Sequence, residues 1–128
     1  MNFMVEKVIK IDVDDKNIAE VIERIKTVKE ILEKDANIKI KDFEVYETKN
    51  GFHIKCKAEN ITHPLEIIIL QLLLGSDWKR ECLNYVRYKK IGERFEKMNY
   101  LFGAKFENNK VASKEKIRKD LEEILNEW

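Results

Sequence analysis

The sequence predicts an α+β domain of the ferredoxin-like class, an antiparallel sheet ordered strand, helix, strand, strand, helix, strand, with an additional C-terminal helix. Two observations predict it. Strand-type alternation and helix-type spacing of apolar residues follow one another in this order, and an Asn-Gly turn joins two of the strands. In such a sheet the first and third strands pair at the centre. The 128 residues have the size of one domain, expected to span residues 1–128.

Charge and composition argue against a membrane protein, an exported protein and a protein attracted to nucleic acid by its overall charge. The chain has 25 Lys and Arg residues against 24 Asp and Glu residues, so no general field attracts it to nucleic acid or membranes. Charged residues make up 38% of the chain, a composition typical of thermophilic proteins. The longest apolar run, residues 65–74, is too short to cross a bilayer, and no export signal is evident. We expect a cytoplasmic protein with no membrane partner.

The first strand is expected at residues 5–13, and it ends in an Asp-x-Asp pattern. Because side chains alternate along a strand, Asp12 and Asp14 are expected on one face, about 6.6 Å apart. Apolar spacing then predicts a helix at residues 17–34, with Asp15 as its N-cap. Capping does not account for Asp12. The alternative to a functional role is that Asp12 is an exposed strand residue paired with Lys10 or Lys55.

Two further strands are expected at residues 38–48 and 52–58, joined by a Lys-Asn-Gly turn. Asn-Gly between alternating segments favours a type I′ turn, because both residues accept positive φ angles. Alternation in the second strand sends Phe52 into the core and leaves His53 and Lys55 on the opposite face.

The next helical segment is expected from residue 62 to residue 74, followed by the Gly-Ser-Asp run at residues 75–77. Gly suits a helix C-terminus and Ser or Asp suits a new N-cap, so a second helix is expected at residues 78–90. Arg80 and Arg87 then lie close to one face of that helix.

The C-terminal part is expected to hold a fourth strand at residues 100–106, ended by a turn at Asn108 and Asn109. An amphipathic helix, capped by Ser113 and reaching Trp128, is expected to dock on the domain or on a partner. Cys56 and Cys82 are expected on the apolar faces of their elements, as reduced core residues. Core packing is also expected for Trp78, with nucleotide recognition as the alternative.

Pairing of the first and third strands would place Asp12 and Asp14 beside His53 and Lys55 on the face that the helices leave uncovered. Two carboxylates can hold Mg²⁺ or Mn²⁺, while an imidazole and an ammonium group meet phosphate oxygens. This is the chemistry of metal-assisted phosphoryl or nucleotidyl transfer. The candidates for a third acid are Glu44 and Asp77.

Two short patterns resemble a known family. Residues 8–14 are similar to the first motif of the archaeo-eukaryotic primase and primase-polymerase superfamily, and the Gly-Phe-His run at residues 51–53 resembles its second motif. The resemblance implies a sheet of the same type that binds divalent metal through its acids and makes or extends nucleic-acid strands in replication. It covers the first half of the chain, and the family's third motif has no counterpart in residues 100–106.

The expected function is a replication-type protein that interacts with nucleotides or single-stranded nucleic acid, with metal-dependent nucleotidyl transfer as its activity. Asp12 and Asp14 are the expected metal ligands and, with His53, the catalytic residues. The expected contacts to nucleotide or nucleic acid are Lys55, Arg80 and Arg87.

Two other classes of function stay open. A non-catalytic, RNA-recognition-like module would stack bases on aromatic side chains of the central strands, although alternation buries Phe52 and the two acids repel phosphate. A structural or assembly protein would form a homo-oligomer through the C-terminal helix or an exposed strand edge. Independently of these classes, the alternative for Arg80 and Arg87 is a solvated face with ion pairs to Glu81 or Glu93.

Overall fold

The computed structural model describes residues 5–101, 104–107, 110–114 and 116–127, with side chains described in 5–101 and 116–127. A short 3₁₀ segment, Gly92–Met98, follows the third helix. In chain order, the elements are β1 (Lys7–Val13), α1 (Ile18–Ala36), β2 (Ile40–Glu47), β3 (Phe52–Ala58), α2 (Leu65–Leu73), α3 (Trp78–Ile91), β4 (Ala104–Glu107), β5 (Lys110–Lys114), β6 (Lys116–Ile117) and α4 (Lys119–Asn126).

The main sheet has four antiparallel strands in the order β1-β3-β2-β6, and β4 pairs with β5 in a separate hairpin. The predicted pairing of the first and third strands is confirmed, because β3 lies between β1 and β2. With four helices among the described residues, the fold is α+β.

The fourth strand departs from the expected ferredoxin-like order. A strand does form near residues 100–106, as β4, but its partner is β5 and not the outer edge of β1. Side chains of α2, of α3 and of the segment between them fill the hydrogen-bonding positions along that edge, so β1 closes the described sheet on this side instead of lying at its centre. The fourth strand of the sheet is β6, beside β2.

A single hydrophobic core joins alternate residues of the three long strands to the helices. The strands supply one face, and α1, α2 and α4 cover it with side chains at helical spacing. Cys56 lies in this core as predicted, whereas Cys82 is exposed and the core assignment of Trp78 is wrong. The central core side chains are Ile9, Ile11, Ile25, Val45, Phe52, Ile54, Ile67, Leu70 and Leu125.

The N-cap of α1 is Asn17 and not Asp15. The Asn17 side chain accepts a hydrogen bond from the Glu20 N–H at 3.3 Å, and Asp15 accepts from the Asn17 N–H at 2.8 Å. Two capping residues in succession satisfy the turn that enters the helix and then its first N–H groups.

The turn between β2 and β3 is not type I′, because neither Asn50 nor Gly51 has a positive φ angle. The Thr48 N–H donates to the Gly51 carbonyl at 2.9 Å, and the Gly51 N–H donates to the Thr48 hydroxyl at 3.0 Å. The Thr48 side chain therefore closes a wider turn than the Asn-Gly pattern predicts.

The last helix begins later than expected. Ser113 lies in β5, and α4 starts at Lys119 with Arg118 in the N-cap position. The predicted docking of this helix on the domain is confirmed by the buried side chains of Leu121 and Leu125. The expected turn at Asn108 and Asn109, and Trp128, lie outside the described residues.

Within the described ranges, none of the helices combines the length and the apolar character that a bilayer crossing requires.

Candidate functional site

The face of the sheet opposite the core carries polar side chains in register across the three long strands. One row runs from Asp12 on β1 through His53 on β3 to Tyr46 on β2. The next row consists of Lys10, Lys55 and Glu44 in the same strand order. We call these six residues the polar face.

Asp12 and His53 are the predicted site residues that the structure brings together. They are cross-strand neighbours, and the His53 Nε2 lies 3.5 Å from the Asp12 Oδ1. The Asp12 side chain is 38% exposed, whereas the whole of His53 is only 7% exposed. A ligand that approaches this face therefore meets the Asp12 carboxylate first, with the imidazole held behind it.

Lys10 and Lys55 lie directly opposite each other on β1 and β3. Among the residues whose side chains are described, neither ammonium group has a carboxylate within 4.0 Å. The Lys55 Nζ lies 6.0 Å from the Tyr46 ring centroid. Partial burial, followed by the charges of Lys55 and Arg80, lowers the pKa of Lys10 below its ordinary value. Positive charge is thus concentrated next to the Asp12 and His53 pair.

The backbone of β1 beneath this site is fixed from its outer edge. The Lys10 N–H donates to the Gln71 Oε1 and the Lys10 carbonyl accepts from the Arg80 Nη1, both at 3.0 Å. The Asp12 N–H donates to the Ser76 hydroxyl at 3.0 Å, and its carbonyl accepts from the Asp77 N–H at 2.7 Å. These four hydrogen bonds replace the ones that a neighbouring strand would make.

A buried polar network stands behind these contacts. The Gln71 Nε2 donates to Glu81 at 2.6 Å, and the Ser76 hydroxyl donates to the same carboxylate at 2.7 Å. Asn99 donates to Gln71 at 2.8 Å, and Asn84 donates to Glu81 at 2.9 Å. Each buried group is satisfied by another, so the network acts as a rigid support for β1.

Arg80, predicted to contact substrate, belongs to this support. Its five N–H donor positions are directed to the Lys10 and Tyr100 carbonyls and to the side chains of Asn99 and Glu81. The guanidinium group therefore positions the backbone of β1 and adds positive charge behind Lys10.

Arg87, the other predicted arginine, lies one turn beyond the network. It is partly exposed, and its Nη1 lies 3.5 Å from the Asn84 side chain and from the Met98 carbonyl. These contacts are at the limit of a hydrogen bond.

Asp14 is exposed and follows the last residue of β1, so strand alternation does not govern its direction. Of the proposed third acids, Glu44 lies on the polar face, and Asp77 caps α3 by accepting from the Arg80 N–H at 3.4 Å. Within the described residues, no group of three or more His, Cys, Asp or Glu side chains has the arrangement of a metal site.

Sequence reasoning gave Lys10 no role in the site, and it did not identify the network of Gln71, Ser76, Glu81, Asn84 and Asn99. Alternation places Lys10 on the same face as Asp12, so the signal for it was present. Gln71 interrupts an otherwise apolar helix, which indicates a buried partner. Its partners come from distant segments, and no local pattern identifies them.

Comparison with protein-family models, with curated proteins and with solved structures found no match to this chain.

Proposed function

We propose that the protein binds the phosphate groups of a nucleotide or of single-stranded nucleic acid on the polar face. Lys10 and Lys55 form a cross-strand pair beside Asp12, and among the described side chains no carboxylate lies within 4.0 Å of either ammonium group. This observation carries the proposal. Like charges opposite each other destabilise a sheet, and a bound anion would offset that repulsion.

A matched row on the same sheet supports this assignment. Lys57 lies two positions along β3, and its ammonium group has Glu6 at 3.8 Å and Asp42 at 3.7 Å. Lys10 and Lys55, which have no such carboxylates among the described side chains, lie next to the Asp12 and His53 contact.

The acids have a defined part in the proposal. Mg²⁺ or Mn²⁺ commonly binds through one or two carboxylates together with substrate phosphates, and it would neutralise phosphate charge there. The exposed carboxylate of Asp12 fits this role, with Asp14 as the second candidate ligand. Because His53 is nearly buried, we assign it to holding and orienting Asp12 instead of touching the ligand.

Nucleotidyl transfer, as in the primase and primase-polymerase superfamily, is the activity that we propose for this site. It is supported by the adjacency of the two strands that bear the resembling patterns. The order β1-α1-β2-β3 is also that of the first half of a ferredoxin-like fold, the class that we propose as the origin of this sheet.

Calorimetric titration with ATP and Mn²⁺ tests the binding proposal. We expect Lys10→Met and Lys55→Met to weaken binding by about tenfold each, because each removes one charge-assisted hydrogen bond. Asp12→Asn should abolish the dependence of binding on Mn²⁺. Lys57→Met is the matched control on the same strand and face, and it should leave the affinity unchanged.

Absence of ATP binding by the unmodified protein, or equal losses in Lys57→Met and Lys55→Met, would overturn the phosphate site. Transfer is tested separately, by extension of a labelled primer with deoxynucleotides and Mn²⁺. Binding without extension would leave the phosphate site standing and would refute the transferase activity.

A further inference from the structure

Helix α3 buries the polar residues Glu81 and Asn84 and leaves several apolar residues exposed, although Tyr88 and Ile91 near its end pack against the core. Helical spacing arranges eight of its residues in two adjacent rows, and all eight are exposed. We call this surface the α3 outer face. Its rows are Trp78, Cys82, Tyr85 and Lys89, and Lys79, Leu83, Val86 and Lys90.

The exposure of the large side chains is substantial: 66% for Trp78, 56% for Leu83, 48% for Tyr85 and 41% for Val86. The side of α3 that packs on the domain carries Glu81 and Asn84, which are almost fully buried in the polar network. An amphipathic helix ordinarily buries its apolar stripe. On α3 the four large side chains of the outer face stay exposed instead, and an exposed apolar patch of this kind is typical of an interaction site.

The positive charge of the α3 outer face indicates an acidic partner. The eight residues include three lysines, Lys79, Lys89 and Lys90, and no carboxylate, since Glu81 points inward. Two copies packed through this face would bring lysine against lysine. An acidic surface would meet them with opposite charge.

We propose that the α3 outer face docks an amphipathic helical segment of another protein, one that carries apolar residues at helical spacing flanked by Asp or Glu. The 14 residues of α3 form a rod about 21 Å long, which matches a partner of three to four turns. This inference does not rest on the phosphate site, which lies on the sheet.

The aliphatic side chains favour a protein over the other partners. Leu83 and Val86 lie in one row with Lys79 and Lys90, and branched aliphatic groups gain little against sugar and phosphate. In a bilayer-surface helix the lysines occupy the face opposite the apolar one. On α3 the lysines lie in the same rows as the apolar residues, at their ends, where the polar rim of a protein interface would lie.

Selection from a random helical peptide library displayed on phage tests the proposal, with the full-length protein as bait. We expect the selected peptides to share apolar residues at three- and four-residue spacing and an excess of Asp and Glu. Their binding should be lost in the double variant Leu83→Ser, Val86→Ser and should weaken several-fold in Lys89→Gln, Lys90→Gln. Ile31→Ser, at an equally exposed apolar residue on α1, is the control and should not affect binding.

Selected peptides without acidic enrichment, or with equal affinity for the double variant, would overturn the proposal. The same variants are compared for binding to a deoxythymidine oligonucleotide and to vesicles of phosphatidylserine and phosphatidylcholine. Loss of either interaction in Leu83→Ser, Val86→Ser, without peptide binding, would assign the face to nucleic acid or lipid. A concentration-dependent dimer abolished by the double variant would assign it to a second copy of the chain.

Discussion

Position 51 requires glycine because there is no room for a β-carbon, and not because of its backbone conformation. Its φ angle is not positive, so the turn does not require glycine for that reason. A β-carbon at this position would lie 1.8 Å from the Val13 carbonyl oxygen and 2.9 Å from the Asp15 nitrogen. The end of β1, next to the candidate site, therefore packs directly on the turn.

We expect Gly51→Ala to lower the free energy of unfolding by about 3 kcal/mol or more, because backbone atoms must move to admit the methyl group. Asn50→Ala, at an exposed neighbour with an ordinary φ angle, should change it by less than about 0.5 kcal/mol. Urea denaturation of both variants measures the difference. Equal losses would indicate that a type I′ turn forms after all.

At Lys10, the stability of the fold and the proposed function make opposite demands on the charge of one side chain. Its lowered pKa means that the folded protein disfavours the charged ammonium group, mainly through burial and then through Lys55 and Arg80. Below the lowered value, this charge destabilises the folded state. As pH rises toward 10.5, the ordinary value, the folded state loses its proton first, so the destabilisation disappears.

We therefore expect Lys10→Met to stabilise the protein at about pH 7, by about 0.5 kcal/mol, the typical size of a cross-strand charge effect. The gain should shrink at about pH 10, because on the way to 10.5 the folded state loses this proton before the unfolded state does. Urea midpoints at the two pH values measure it. A gain that is constant with pH would assign the effect to apolar burial of the methionine.

At the scale of elements, helices protect both exposed edges of the long strands. On the β1 edge, Gln71, Ser76 and Arg80 satisfy the backbone. On the β2 edge, the Asn126 side chain donates to and accepts from the Phe43 backbone, at 3.1 and 2.7 Å. Side-chain groups that imitate a strand prevent the edge-to-edge association that open sheets favour. The expected oligomer through a strand edge gains no support from this arrangement.

Gln71 links the edge of β1 to the buried polar network. The substitution Gln71→Met keeps the length of the side chain and removes its polar groups. We expect a loss of about 3 kcal/mol, because the Lys10 N–H and the buried Glu81 and Asn99 each lose a partner. The Lys10 amide should also exchange with solvent much faster, as measured by NMR. Leu72→Met, at an exposed position of the same helix, is the control. Unchanged exchange at Lys10 would show that water replaces the side chain.

For the whole molecule, the sequence correctly predicts the features that depend on the local spacing of apolar and polar residues. Strand alternation correctly sends Phe52 to the core and His53 to the other face, and the break at Gly75 separates two helices as expected. For the candidate site, the contact of Asp12 with His53 follows from the predicted strand pairing.

The features that sequence misses depend on distant partners. No local sequence pattern shows that α2 and α3 lie where a fourth strand was expected. Nor does one show that the guanidinium group of Arg80 hydrogen-bonds to the backbone of β1. Trp78 was assigned to the core because large apolar residues are usually buried. The buried side of α3 is instead occupied by polar groups, which have to satisfy the edge of β1.

Helix α4 packs against β2 and α1, and we expect these contacts to make the described chain one cooperative unit. The Lys29 ammonium group on α1 donates to the Leu125 carbonyl at 3.2 Å, while Leu125 itself is buried in the shared core. We expect Leu125→Ala to cost about 3 kcal/mol, through lost burial and an incompletely filled cavity. Ile124→Ala, at the exposed neighbour, should cost less than about 1 kcal/mol.

Urea unfolding of the Leu125→Ala variant, followed by far-UV and near-UV circular dichroism, measures the cost and tests cooperativity together. In a single unit the two signals lose structure at the same lowered midpoint, since core packing and secondary structure fail together. If α4 were only attached to an independent domain, the variant would lose the helix at low urea while the near-UV transition stayed at the unmodified midpoint. That result would contradict a single domain spanning residues 1–128.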